Sequence, residues 1–191
     1  MTENEVIEKL KATQKESRFL HTLGVAKEAE RLAPRFGVDP QKARLAGLLH
    51  DCAKNLDEKS GVDFKTLCEQ YGVIPDIYAM KERALMHAFL GSGVAKKDYG
   101  VEDKEIIRAI YFHTTARAEM KPLEKLLYLA DLTEEGRNLP FTQELRELLE
   151  EDTDKALMFA IKKSIEHVLG LGTLIHPDSI HALNYLIENR R

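Results

Sequence analysis

Apolar residues recur along this chain with a helical period almost from end to end. Val6, Ile7 and Leu10 follow a Thr2/Glu5 pair that has the form of a capping box. Phe19, Leu20, Leu23, Val25 and Ala26 mark a second helix, which Ser17 can cap and which stops near Pro34-Arg35-Phe36-Gly37. Asp39-Pro40 reads as the N-cap and first-turn proline of a third helix, running up to Leu48-Leu49-His50-Asp51. Residues 55–62 read as a loop. Asp63 starts a short helix that ends at Tyr71-Gly72, and Ile74-Pro75-Asp76 breaks the chain again. Further helices are expected at 84–99, 103–113, 123–133, 142–150, 153–170 and from 177 to the chain's end. Val38 and Val73 stand beside glycine and are too short to count as strands. The pattern predicts one all-α domain over residues 1–191, an irregular bundle of eight to ten helices joined by short loops.

Composition narrows the partners. Net charge is −4, with 43% hydrophobic and 31% charged residues. That suits a soluble globular domain and argues against bulk nucleic-acid binding, which needs a strongly basic face. A small anion held by a few local cations is compatible with it. Cys52 and Cys68 are the two cysteines and form no C-x-x-C pair, so a thiolate zinc site is not expected. Isolated cysteines, an acidic N-terminus and no apolar run of membrane-spanning length point to a cytoplasmic protein without membrane contact. Exposed apolar faces leave room for a homodimer.

The chemistry gathers at Leu48-Leu49-His50-Asp51-Cys52-Ala53-Lys54. Imidazole nitrogen and carboxylate oxygen are ligands for borderline divalent metals. At the end of an apolar helix they are costly to bury unless something binds them. A His-Asp pair arises readily by chance in a chain with 7 histidines, so it needs support elsewhere. Four other residues supply it. His21 follows Phe19-Leu20, His87 sits in Met86-His87-Ala88-Phe89, and His113 ends Ile110-Tyr111-Phe112. Asp131 ends Leu126-Leu127-Tyr128-Leu129-Ala130. Each is a metal-ligand type in an apolar setting on its own helix. Arg18, one turn before His21, and Lys54, three residues after Asp51, can place cations beside them.

The order His21, His50-Asp51, Asp131 resembles the HD-domain metal-dependent phosphohydrolases. Five stretches resemble one branch in particular, the bacterial YqeK-type symmetrical diadenosine tetraphosphate hydrolases. They are 18–25, 48–54, His113-Thr114-Thr115-Ala116-Arg117, Tyr128-Leu129-Ala130-Asp131 with Arg137, and Leu174-Ile175-His176-Pro177-Asp178. This resemblance implies an HD-type bundle with a core at about 18–135, the C-terminal helices over 142–191 completing a nucleotide pocket. It implies metal ligands at His21, His50, Asp51 and Asp131, with iron as the metal. Nitrogen and oxygen ligands equally admit manganese, cobalt, nickel or zinc.

Catalytic roles are implied for Asp51, Lys54, His87 and His113. Nucleotide contacts are implied for Arg18, Asp51, Lys54, His87, His113, Thr114, Arg117, Asp131 and Arg137. The stretch Gly170, Leu171, Gly172, Thr173, Leu174 and Ile175 would lie at the nucleoside end. The activity implied is symmetrical hydrolysis of diadenosine tetraphosphate and related dinucleoside polyphosphates to two ADP by a metal-activated water. Another HD-type nucleotide phosphohydrolase and a non-catalytic nucleotide-sensing module are the alternatives. His87 and His113 can contact phosphate, protonate the leaving group or ligate a second metal, and the sequence does not separate these. Arg117 reads either as solvated or as a phosphate contact. Ala116 stands where the family usually has glycine, and Leu132-Thr133-Glu134-Glu135 replaces its usual Ile-Glu-Pro. Without metal, the clustered carboxylates are expected to repel, so that losing one would stabilise the apo protein.

Overall fold

The computed structural model describes residues 1–189; residues 190 and 191, assigned from sequence to the last helix, lie outside the described residues. Eleven α-helices, one 3₁₀ turn and no strand are found among the described residues. They are α1 (Glu3–Thr13), α2 (Glu16–Leu32), α3 (Pro40–Leu49), α4 (Leu56–Ser60), α5 (Phe64–Tyr71) and α6 (Arg83–Asp98). They continue as α7 (Lys104–Phe112), α8 (Pro122–Thr133), α9 (Thr142–Glu151), α10 (Thr153–Leu171) and α11 (Pro177–Glu188), with the 3₁₀ turn at Ala33–Phe36. No helix among the described residues is long and apolar enough to cross a membrane.

Most starts follow from their caps. The Thr2 N–H donates to the Glu5 carboxylate at 2.7 Å, closing the capping box on α1. Asp39 accepts from the Lys42 N–H and Asp63 from the Thr66 N–H, freezing the first turns of α3 and α5. Two expectations are corrected. Helix α2 starts at Glu16 behind Lys15, so Ser17 lies in its first turn and caps nothing. Residues 56–60 are helical rather than loop: Asn55, left-handed at φ 58°, turns the chain directly into α4. One turn of helix is too short to show a period, which is also why the count exceeds eight to ten.

Helix α8 is the hub. Leu123, Leu126, Leu127, Leu129 and Ala130 are all buried. Helix α2 packs on α3 and α8, α3 also reaches α7, and α7 bridges α6 and α8. The α2–α3 crossing is close enough to dictate a residue. A Cβ on Gly47 would stand 2.7 Å from the Ala26 Cα, so only glycine fits. Three residues further along α3 and five back along α2, the same crossing sets His50 against His21.

Candidate metal centre

Five elements deliver the candidate residues to one spot. His21 comes from α2, His50 caps the C-terminus of α3 and Asp51 follows in the turn. His87 lies in the second turn of α6, His113 caps α7, and Asp131 lies near the end of α8. His50, Asp51, His87 and His113 are all buried. His50 Nε2 is 3.3 Å from His21 Nε2, 3.5 Å from Asp51 Oδ2 and 3.7 Å from Asp131 Oδ1. His21 Nε2 is 3.0 Å from Asp131 Oδ1. Ligand atoms of His21, His50 and Asp131 all lie within 4.8 Å of one another, as do those of His50, Asp51 and His113.

The hydrogen bonds behind these rings fix what they offer. His50 donates its Nδ1–H to the Gly47 carbonyl at 2.7 Å, and His113 donates its own to the Ile110 carbonyl at 2.7 Å. His21 Nδ1 is 3.0 Å from Glu134 Oε1. These partners assign the protons to Nδ1, so three Nε2 lone pairs face inward. Lone pairs and carboxylate oxygens cannot bond one another. They fit a cation, and the backing acceptors are of the kind that orients metal-bound imidazoles.

Glu134 is a site residue that the sequence reading passed over as part of a departure from the family pattern. It is buried, and its second oxygen accepts the Gly136 N–H at 2.6 Å. Its place is held open by Gly24 on α2, where a Cβ would stand 2.3 Å from Glu134 Oε2. A glycine mid-helix beside a histidine was the available signal, and its partner lies 110 positions away.

Cations surround the carboxylates. Arg18 donates to Asp51 Oδ2 at 2.6 Å, and Arg137 donates to both the Asp131 side chain and its carbonyl. On the other side His87 Nε2 is 3.0 Å from Asp51 Oδ1 and His113 Nε2 is 3.8 Å away. Lys54 Nζ lies 3.1 Å from His87 Nδ1. Burial pushes the Asp51 carboxyl up, but His50, His87 and Lys54 together hold it well below the usual carboxylate range. Asp131 is likewise depressed: burial opposes ionisation, and the neighbouring His21, His50 and Arg137 outweigh it. Asp51 does oppose ionisation of Asp131, as expected of neighbouring carboxylates, but each has a cationic partner of its own in Arg18 or Arg137. Burial lowers His87 and, with His87 and His50 nearby, lowers His113 to about 3. Both stay neutral near pH 7. Burial also lowers Lys54, against the pull of Asp51.

Not every candidate joins the cluster. Arg117 pairs with buried Glu124 through Nε at 2.8 Å and Nη2 at 3.1 Å, and stacks over Phe112. It is therefore paired within the protein rather than simply solvated. Thr114, next to His113, keeps a buried hydroxyl without a protein partner among the described residues. The Gly170–Ile175 stretch takes in the last two residues of α10 and the turn towards α11, and is exposed from Gly170 to Leu174. It is tied to the segment leading into α6, where the Leu174 N–H donates to Glu82 at 3.1 Å and His176 Nε2 bonds Asp76 at 2.5 Å.

The geometry has counterparts among known proteins. The HD domain family model matches residues 18–136. Over 191 residues the chain is 33% identical to a Halalkalibacterium halodurans protein named "Bis(5'-nucleosyl)-tetraphosphatase, symmetrical", covering 100% of both. It is 33% identical over 188 residues to the Bacillus subtilis protein of the same name, covering 98% of this chain and 99% of that one. A solved structure, described as a predicted HD superfamily hydrolase involved in NAD metabolism from Clostridium acetobutylicum, is similar with a TM-score of 0.92 and 36% identity. It covers 100% of this chain and 99% of its own.

Proposed function

The chain belongs to the HD-domain family, whose members are metal-dependent phosphohydrolases, and from that premise we propose that it hydrolyses diadenosine tetraphosphate symmetrically to two ADP. The observation that carries this reading is the inward convergence of imidazole lone pairs and carboxylates, flanked by Arg18, Arg137 and Lys54. A divalent metal with surrounding cations is what phosphoanhydride cleavage requires, because most of that catalysis is positioning and charge neutralisation.

His21, His50, Asp51 and Asp131 would hold the metal, with Glu134 and the Gly47 carbonyl fixing ring orientation. When bound, a divalent ion supplies a polarised phosphoryl oxygen and a water acidic near neutral pH. We infer iron, which imidazole ligands suit, among the divalent metals that the donor set admits. Arg18 and Arg137 line a polar hollow of about 310 Å³ together with Ser17, His21 and Asn138, and would receive phosphate oxygens there. Lys54, His87 and His113 would neutralise charge on the departing phosphate, and the Thr114 hydroxyl would hydrogen-bond an oxygen of the substrate. The turn 170–175 would contact one nucleoside, which gives the C-terminal helices their part in the site. The free thiols of Cys52 and Cys68 accord with a reducing, cytoplasmic setting.

Incubating the metal-loaded protein with diadenosine tetraphosphate tests the reading. ADP as sole product is expected. AMP with ATP, or no turnover, overturns it, and elemental analysis of the same preparation tests iron.

A further inference from the structure

A symmetrical cut divides a substrate with two identical nucleoside arms, and one exposed turn cannot receive both. A second concavity reaches the metal-ligand cluster. It measures about 210 Å³ and lies between the turn after α3, the start of α5 and the first turns of α6. Ala53, Phe64, Met86 and Leu90 give it apolar lining, and its polar lining includes Asp57 and Arg83 as well as Lys54 and His87. Those two residues connect it to the cluster, since His87 contacts both Asp51 and His113. It shares no lining residue with the polar hollow at Arg18 and Arg137.

Its place relative to α6 sets it apart from the turn 170–175. Arg83, Met86, His87 and Leu90 fall at i, i+3, i+4 and i+7, one face of the helix. The C-terminal segment meets a different side, with the His176 ring 6.0 Å from Phe89 and Leu174 bonded to Glu82. The turn 170–175 and this cavity therefore lie on different sides of the helix that carries His87. The cavity is smaller than the roughly 300–1,000 Å³ usual for pockets enclosing a drug-sized ligand. It is sized for one nucleoside and not for the whole substrate. An aromatic ring and a thioether in the lining, with an ammonium on the side of the cluster, suit a base or ribose followed by phosphate.

We propose that this cavity binds the second nucleoside of the dinucleoside substrate, delivering that arm's phosphates past Lys54 to the metal centre. The proposal rests on the phosphohydrolase reading above. Ala84 is an exposed residue in the first turn of α6 whose side chain lines the cavity, so Ala84→Trp fills it without touching the cluster. The metal-loaded full chain is assayed on diadenosine tetraphosphate and on adenosine 5'-tetraphosphate, which has one nucleoside. Ala84→Trp is expected to lose about tenfold or more in kcat/KM on the first, the scale of one stacked base, and to keep its rate on the second. In equilibrium titrations with ADP the parent should bind two per chain and the variant one. Equal loss on both substrates, or two ADP still bound with neither rate changed, overturns the cavity assignment. If the parent protein cleaves neither substrate, the phosphohydrolase reading fails instead, and the ADP stoichiometry still decides whether the cavity is a nucleoside site.

Discussion

Asp51 divides the centre into two halves built from the same residue types and suited to opposite charges. In one half His21 and His50 stand on helices locked by the Gly47 crossing and Asp131 joins them from α8, with both imidazole Nδ1 protons directed at other acceptors. That half presents lone pairs and anionic oxygens, so it suits a cation. In the other half His87 meets both His113 and Lys54, and with Lys54 it borders the second cavity. That half adds an ammonium to neutral imidazoles, so it suits phosphate. A histidine's role here is decided less by its own position in an apolar run than by what backs it.

The largest effect should come from the residue the halves share. Asp51→Ala is expected to abolish metal content and to lower turnover at least about a thousandfold. It should also lower the thermal midpoint of the metal-free protein. Arg18 and His87 would be left facing a buried gap, and breaking such a pair costs about 3 kcal/mol, reduced here because the Arg18 side chain is 34% exposed. Elemental analysis and a thermal scan check both effects. Full metal retention would break the division, and a rise in the apo midpoint would restore the carboxylate-repulsion reading.

If the halves are separate, they can be silenced separately. His87→Ala and Lys54→Ala should each lower kcat about a hundredfold, within the usual range for one positioned proton-transfer or charge-neutralising group, while the protein keeps its metal. Loss of metal in His87→Ala would place that ring among the ligands and merge the halves. Glu134→Gln acts on the cation-binding half alone. It keeps the shape that Gly24 accommodates but weakens the acceptor behind His21. Metal affinity should fall about 10- to 100-fold, with kcat near normal once metal is saturating, read by competition with a chelator.

The contrast also explains what the sequence disclosed. His50, His113 and Asp131 were visible because each ends an apolar helical run, and α1, α3 and α5 because each has a side-chain cap. These are local signals. Glu134 was not visible, because Glu134-Glu135 after a helix looks like solvated surface until α2 is brought alongside at Gly24. The ion pair of Arg117 was hidden for the matching reason. Its partner Glu124 occupies the first turn of α8, where a carboxylate ordinarily faces water, and only packing buries it. Helix α4 was too short to have a period. What stayed hidden depended on pairs of elements far apart in the chain.

The smallest predicted effect lies in the loop behind His113, on the phosphate side. Ala116 is buried with φ at 56°, the left-handed region where a Cβ is strained by about 1–2 kcal/mol. Its N–H still closes a turn on the Phe112 carbonyl at 2.9 Å, so the conformation is held by the fold around it. Glycine relieves the strain but gives back about 0.4–1 kcal/mol through a freer unfolded chain. Ala116→Gly should therefore stabilise by about 0.5–1 kcal/mol net, a rise of roughly 1–4 °C in Tm for a chain of this size. Because the strain sits three residues beyond His113 and the Thr115 carbonyl accepts from Ser179 on α11, the gain should leave kcat unchanged. A change in kcat without a change in Tm would mean instead that this loop's strain helps set the position of His113, and that the phosphate-binding half is tuned by its backbone and not only by its side chains.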